Sequence, residues 1–287
     1  MTTPETAPFQ FFRLRVDRTR RLSPSLVRIT FTGDELKGFA AGGRDQSLSL
    51  FLPHPGQDAP VLPPLDAPQD MYAILGAWRA MPHDVRAVMR SYTVREQRTE
   101  REHGENAVDI DFALHEDGGP ACRWAARATP GDQVAVLGPA VADNTAVRFR
   151  PPADADSVLV WADETALPAA SAILEWLPAG TRAQVFLEVP HSGDRAELAT
   201  RADVTVTWLV REEGAPSAVE AVRGVELPGE APYVWIAGES GAVKALRRHF
   251  VRDRALDRRR VTFVGYWRKG LSEDALREVP DATQEDL

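Results

Sequence analysis

Polar and apolar residues alternate through most of the first half of the chain, the period of a strand with one face buried. Residues 11–22 (FFRLRVDRTRRL) and 25–33 (SLVRITFTG) read as two strands, with the charged DRTRRLSPS between their apolar parts as a hairpin turn. Asp34 opens a helical turn in DELKGF. SLSLFLP (47–53) is a further strand, and the proline-rich stretch 54–68 must be loop. Residues 71–89 carry a partly helical pattern around Trp78, interrupted by Pro82, and lead into RSYTVR (90–95), another strand. A charged turn, QRTEREHGEN, precedes AVDIDFALHE (107–116). There Val108, Ile110, Phe112 and Leu114 face one side, and Asp109, Asp111, Ala113 and His115 the other. Gly118, Gly119 and Pro120 come before a short helix over about 121–128, and Pro130, Gly131 and Asp132 turn the chain into the strand QVAVLGP. Short strands separated by turns, with one short helix, predict an antiparallel β-barrel.

The pattern changes after RFRPPADAD (148–156), a proline-containing linker. Beyond it, apolar runs typical of fully buried strands alternate with helical periodicity. The strands are SVLVWADE, AQVFLEVP, VTVTWLVR (204–211), YVWIAGES (233–240) and VTFVGYW (261–267). TALPAASAILEWLP is a helix with Leu167, Ala170, Ile173, Leu174 and Leu177 on its apolar positions, and GAVKALRRHFVRDRAL from Gly241 is another. This alternation predicts a parallel, doubly wound α/β sheet that binds ligands at strand C-termini. Two domains are expected, 1–150 and 151–287, which suits a chain of 287 residues.

Composition excludes more than it selects. Hydrophobic residues make up 44% and charged residues 26%, so disordered and fibrous classes drop out. With 34 basic and 42 acidic residues the net charge is -8, and no general attraction to nucleic acid or an anionic membrane is expected. The single cysteine, Cys122, rules out a disulfide framework or a cysteine-built metal cluster within the chain. The six histidines show no HxxxH or HxH pairing, so no fixed metal site is expected. MTTPETAPFQ lacks a basic region followed by an apolar core, and no run approaches the roughly eighteen apolar residues of a membrane span. A cytoplasmic protein without membrane insertion is expected.

Within this frame RSYTVR stands out. On a strand, Arg90, Tyr92 and Val94 point one way and Ser91, Thr93 and Arg95 the other, offering a cation, a flat ring and hydroxyls. Such groups hold a pyrophosphate, cover an aromatic ring system and bond its edge. An edge strand with exposed arginines would look similar. The helix start near Ala121 could cradle a phosphate with its free backbone N–H groups, or be an ordinary proline-initiated helix. At the ends of two parallel strands, WADETALPA and AGESGAV place Asp163 to Thr165 and Gly238 to Ser240 ahead of helices. Thr165 and Ser240 could equally be helix caps. Neither GxGxxG nor GxxxxGK[ST] occurs, so neither standard nucleotide motif is present. Arg195 and Arg211 are candidate readers of a 2′-phosphate, and Glu188 of a free ribose hydroxyl.

Taken together, RSYTVR, VDIDFALHEDGGPACRWAARATPGD, WADETALPA, WIAGESGAVKALRR and GYWRKG (265–270) resemble, in order and spacing, the siderophore-interacting proteins, or ferric-siderophore reductases. These lie within the ferredoxin-reductase-like superfamily. The resemblance covers most of the chain and implies an N-terminal barrel carrying non-covalent FAD and a C-terminal domain for NADPH or NADH. Electrons would pass through the flavin to a ferric siderophore, releasing ferrous iron, with no protein nucleophile. It implies that Arg90, Tyr92 and Thr93 grip the flavin, Thr93 near its reactive edge, with Asp111, Ala113 and His115 on a second flavin strand. Gly119, Pro120, Ala121 and Cys122 would form the phosphate turn. Asp163, Glu164, Thr165, Gly238, Glu239 and Ser240 would meet the nicotinamide nucleotide. Tyr266 and Trp267 would return toward the flavin, and Arg123 and Arg247 would meet the siderophore. A monomer is expected, with ferredoxin as an alternative donor. Two other readings stay open: a protein that binds flavin or siderophore without turnover, and a general flavin reductase. Cys122 stands where the family commonly has serine, and Ser49 where many relatives carry a lysine of the basic substrate site.

Overall fold

The computed structural model describes residues 7–64, 70–115 and 118–271. They divide into two compact units, one of residues 7–22 and 26–148, the other of residues 23–25 and 149–271. In the first unit seven strands form one sheet: β1 (Phe9–Ser23), β2 (Leu26–Thr32), β3 (Ser47–Leu52), β4 (Val88–Thr93), β5 (Glu96–Arg98), β6 (Ala107–Ala113) and β7 (Gln133–Pro139). Their order is β4-β3-β7-β1-β2-β6-β5. The edge strands β4 and β5 follow one another in the chain, so the two edges meet and the antiparallel sheet rolls into a half-barrel. The backbone N–H of Arg95, in the short link between β4 and β5, donates to Asp109 O on β6 at 2.9 Å.

Strand alternation sends side chains to two cores. Phe12, Leu14, Ile29, Phe31, Leu48, Leu50, Ile110, Phe112 and Val136 fill the inside. Phe9, Phe51, Met89, Ala135 and Leu137 face outward beneath α1 (Met71–Ala80), whose Ile74 and Trp78 cover them. Asp70 caps α1 by accepting from Ala73 N at 2.8 Å.

Several local expectations change. The hairpin turn is tight: β1 runs to Ser23 and β2 starts at Leu26, so DRTRRLS is strand rather than turn. Charged residues are tolerated there because that half of β1 is exposed. QRTEREHGEN holds β5 and one helical turn, α2 (Glu100–His103), ended by Gly104 at φ 76°. The strand expected over 107–116 stops at Ala113, Glu116 lying outside the described residues. The helix expected to reach Ala128 ends earlier, as α3 (Pro120–Ala125).

In the second unit β8 (Ser157–Ala162), β9 (Arg182–Val189), β10 (Asp203–Val210), β11 (Pro232–Glu239) and β12 (Val261–Trp267) form a parallel sheet in the order β10-β9-β8-β11-β12. α4 (Leu167–Trp176) buries Leu167, Ile173 and Leu174. α5 (Ala218–Arg223) and α6 (Ser240–Arg248) bury Ala218, Val222, Val243 and Leu246 in a core with Leu159, Trp161, Val234 and Ile236 of the sheet. The connection from β9 to β10 holds only a 3-10 turn, Ser192–Asp194. The chain winds outward from β8 to β10 and returns beside β8 at β11, so the strand order reverses between β8 and β11. In such sheets that reversal is where ligands bind. No helix among the described residues is long and apolar enough to cross a membrane.

Candidate functional site

The first group of candidate residues sits on β4 and the segment from β6 to α3. Register with β3 pairs Arg90 with Leu50 and Tyr92 with Leu48, so both share the inner face. Thr93 pairs with Ser47 on the other. Arg90 is buried, its Nη1 donating to Met89 O at 2.7 Å. The Tyr92 ring lies 4.4 Å from that of Phe112, inclined at 45°, which braces one aromatic surface from inside the half-barrel. Thr93 is also buried, whereas Ser91 is exposed.

On β6 Asp111 is bound in a fork by Arg28, at 2.7 and 2.9 Å. Its hydrogen bond raises the Arg28 pKa, opposed by burial. Asp109 accepts from Arg98 at 2.8 and 2.9 Å and from Thr30 at 2.7 Å. Burial would raise the Asp109 pKa, but the hydrogen bonds from Arg98 and then Thr30 hold it below the usual carboxylate range. These aspartates are therefore pinned by cations of neighbouring strands. Ala113 ends the strand and His115 is exposed beyond it.

Gly119 is the N-cap of α3 and supplies no side-chain acceptor, and Pro120 occupies the first turn. A methyl group placed on Gly119 would meet no atom within 4 Å, so this helix start is open. The first N–H groups of a helix have no partner within it. Cys122 accepts from His115 N at 3.2 Å, closing the turn from within. Sequence reasoning singled out Gly119, but Gly118 is the glycine that packing requires: a Cβ there would overlap the Cys122 side chain. Arg123 clasps the same turn, donating to Gly118 O at 2.6 Å. Ser49 pairs with Ser91 and with Leu137.

The second group gathers at the C-terminal ends of β8, β11 and β12. Among the described residues the Asp163 carboxylate accepts five hydrogen bonds. Thr165 N, Thr165 Oγ1 and Ala166 N reach Oδ1 at 2.9, 2.6 and 3.3 Å. Glu239 N and Trp267 Nε1 reach Oδ2 at 2.7 and 2.8 Å. Burial, and then the neighbouring Glu164 carboxylate, push the Asp163 pKa up to about 6 against those donors. Gly238 has φ 145°, and a Cβ on it would lie 2.5 Å from the Asp163 carboxylate, so only glycine fits.

Neither Thr165 nor Ser240, for which capping was the alternative reading, is a helix cap. Thr165 turns back to Asp163, and Ser240 Oγ donates to Trp267 O at 2.8 Å. The cap of α6 is Glu239, whose Oε2 accepts from Gly241 N and Ala242 N at 2.6 and 3.0 Å. A shift in register between Gly238 and Glu239 sets Trp267 opposite Glu239 and leaves Tyr266 as the extra residue. Arg211 binds buried Glu164 at 2.7 and 3.0 Å and Glu188 at 3.1 Å, and Arg195 binds Glu213 at 2.9 and 2.5 Å. Both arginines singled out for a 2′-phosphate are thus already held by carboxylates. The Arg247 guanidinium lies 4.3 Å over the Phe263 ring. Among the described residues no group of three or more His, Cys, Asp or Glu is placed to hold a metal ion.

Comparison with known proteins gives matches along the whole described fold. The family profile of the siderophore-interacting FAD-binding domain matches residues 15–143, and that of the siderophore-interacting protein matches residues 155–270. The NADPH-dependent ferric-chelate reductase of Escherichia coli K12 is 31% identical over 261 residues, covering 90% of this chain and 93% of that protein. The ferric vibriobactin reductase ViuB of Vibrio cholerae is 29% identical over 265 residues, covering 91% and 90%. The crystal structure of the siderophore-interacting protein SipS from Aeromonas hydrophila superposes with a TM-score of 0.76 at 34% identity, covering 96% of this chain and 99% of that one.

Proposed function

Since this chain belongs to the siderophore-interacting protein family, we propose that it is an FAD-dependent reductase that passes electrons from NADPH or NADH to a ferric siderophore. The observation that carries this is chain-long similarity, with both units matched, to proteins named as ferric reductases.

The residues of the first unit suit an anionic aromatic cofactor. Arg90 offers a guanidinium to the pyrophosphate, Tyr92 braced by Phe112 offers a flat surface, and Thr93 offers a hydroxyl on the opposite face of the strand. The open start of α3, with Gly119, Pro120, Ala121 and Cys122, offers backbone N–H groups to phosphate. Asp111, Ala113 and His115 complete this side, Asp111 through its hold on Arg28. In the second unit Thr165, Glu239 and Ser240 frame the nucleotide site at the strand reversal, and the buried Asp163, Glu164 and Gly238 support it from within, Glu164 through its ion pair with Arg211. Arg123 and Arg247 carry charge toward an anionic chelate, and Ser49 in place of a lysine reduces that charge.

Bound FAD accepts a hydride and can release electrons singly, which suits a ferric acceptor, and a ferrous ion is held less tightly by hard oxygen ligands. The chain's part is to bind and orient. The reading includes a monomer in the cytoplasm, a compartment that suits a lone thiol, with ferredoxin as an alternative donor.

An anaerobic titration tests donor, cofactor and acceptor together. Purified protein is expected to be yellow, to bleach with NADPH or NADH, and to regain colour when a ferric siderophore and a ferrous trap are added. Protein that takes up no FAD would sink the proposal, and bleaching that no ferric chelate reverses would point to another acceptor.

A further inference from the structure

We infer that Asp163 is a positioning residue, acting on hydride transfer through the indole of Trp267. This rests on the reductase reading above, with Trp267 returning toward the flavin as the family resemblance implies, and on the geometry of the second unit for the rest. Asp163 is 2% exposed, so its carboxylate cannot meet a ligand directly. Its oxygens instead tie together the ends of three adjacent strands. One holds the turn at Thr165 and Ala166 after β8, and the other receives Glu239 N from β11 and the indole N–H from β12.

Three independent features converge on the indole. The register shift beside Glu239 places Trp267, and not Tyr266, opposite that residue. Gly238 leaves the space that the Asp163 carboxylate occupies, at a backbone angle side chains disfavour. Ser240 Oγ fixes the Trp267 carbonyl while Asp163 fixes its ring, so the residue is held at both ends. Trp267 is itself half-buried, as a residue must be to present one surface while being gripped by another. A strand terminus would ordinarily fray. Here a buried, charge-assisted bond holds it.

The test uses full-length protein with FAD and reads two quantities. The first is solvent exchange of the Trp267 indole N–H by NMR, its signal assigned by its loss in Trp267→Phe. The second is the limiting rate of anaerobic flavin reduction, with the nucleotide dissociation constant measured alongside. Trp267→Phe keeps an aromatic side chain but exchanges the indole for a smaller phenyl ring that lacks the N–H, and it leaves the donors of the other four bonds to Asp163 in place. Asp163→Asn removes the charge and leaves a single neutral acceptor: in one orientation the amide oxygen still faces the indole N–H, in the other the NH2 group does, and either weakens the hold.

Slow indole exchange in the wild type and fast exchange in Asp163→Asn are expected. Each variant should lower the limiting rate about tenfold, as small misplacements do, with the dissociation constant unchanged within about threefold. The double variant should be no slower than the slower single one. Undisturbed exchange in Asp163→Asn, wild-type reduction by Trp267→Phe, or losses that multiply would each overturn the assignment. Wild-type protein that neither nucleotide reduces would instead remove the reductase reading, and the exchange measurement would still decide whether Asp163 holds the indole.

Discussion

Arg90 and Thr93 lie on opposite faces of β4, and strand alternation leaves no way for both to approach a ligand from the same side by their side chains. The arginine, on the inner face with Tyr92, is the stronger candidate for charge. Arg90→Ala should weaken FAD retention by roughly 1.5–3 kcal/mol, the range for a lost hydrogen bond to a charged group. Equilibrium dialysis of the flavin measures this, and unchanged affinity would remove Arg90 from the site. At Gly238, substitution by alanine forces a Cβ against Asp163 at φ 145° and should cost on the order of 2 kcal/mol or more. Urea unfolding would show it. Asp163 also makes a pH prediction. Its folded pKa, about 6, lies above the ordinary aspartate value of 3.8. The folded protein therefore keeps the proton longer, and this group's contribution to stability is full below the lower value and lost as pH rises through 6. Asp163→Asn cannot titrate. Wild-type stability should thus decline relative to the variant between about pH 4 and pH 7 in thermal melts, and parallel curves would contradict the assignment.

At the scale of elements, short strands and helices depend on side chains that their own patterns do not announce. β5 has three residues at a sheet edge, too few for its backbone bonds to secure it. Arg98 fastens it, bridging Asp109 and Glu105. Arg98→Ala would strip the main cation from a buried carboxylate and should destabilise by about 3 kcal/mol, read from urea unfolding. A loss below about 1 kcal/mol would mean that Arg28 and Thr30 suffice for Asp109. In the second unit Glu239 rather than Ser240 caps α6, and its replacement by alanine should cost about 1 kcal/mol. The sequence pattern indicates a helix there with its apolar face right. It does not tell which of two adjacent polar residues turns back to the free N–H groups, because that depends on where the strand stops. The same holds for DRTRRLSPS, read as a turn for its charge, where exposure of half of β1 lets charged residues continue the strand.

At the scale of the whole molecule, the proposed function assigns a different ligand to each of the two units. Hydrogen exchange should show added FAD protecting β4 and the start of α3, while a nicotinamide nucleotide protects residues 163–166 and 238–241. At a hundredfold excess over its dissociation constant, FAD should stabilise the unit it binds by about 2.7 kcal/mol. Protection spread evenly over both units by either ligand would contradict this division. The fold class follows from the sequence because period-two alternation and buried apolar runs are local and survive any packing. The ordered motifs point to the family for the same reason, since residue types at strand ends can be read one segment at a time. Side-chain partners cannot. Asp111 reads as a ligand strand residue and is pinned by Arg28 from 83 positions away. Asp163, read as a nucleotide contact, is buried beneath Gly238 and the Trp267 indole, the latter 104 positions along the chain. The sequence by itself determined which segments are strands and helices, and which residues crowd the strand ends. Only the tertiary structure decided which of those residues face outward and which spend their polar atoms on each other, because a carboxylate's hydrogen-bond partners are set by distance in space and not by distance along the chain.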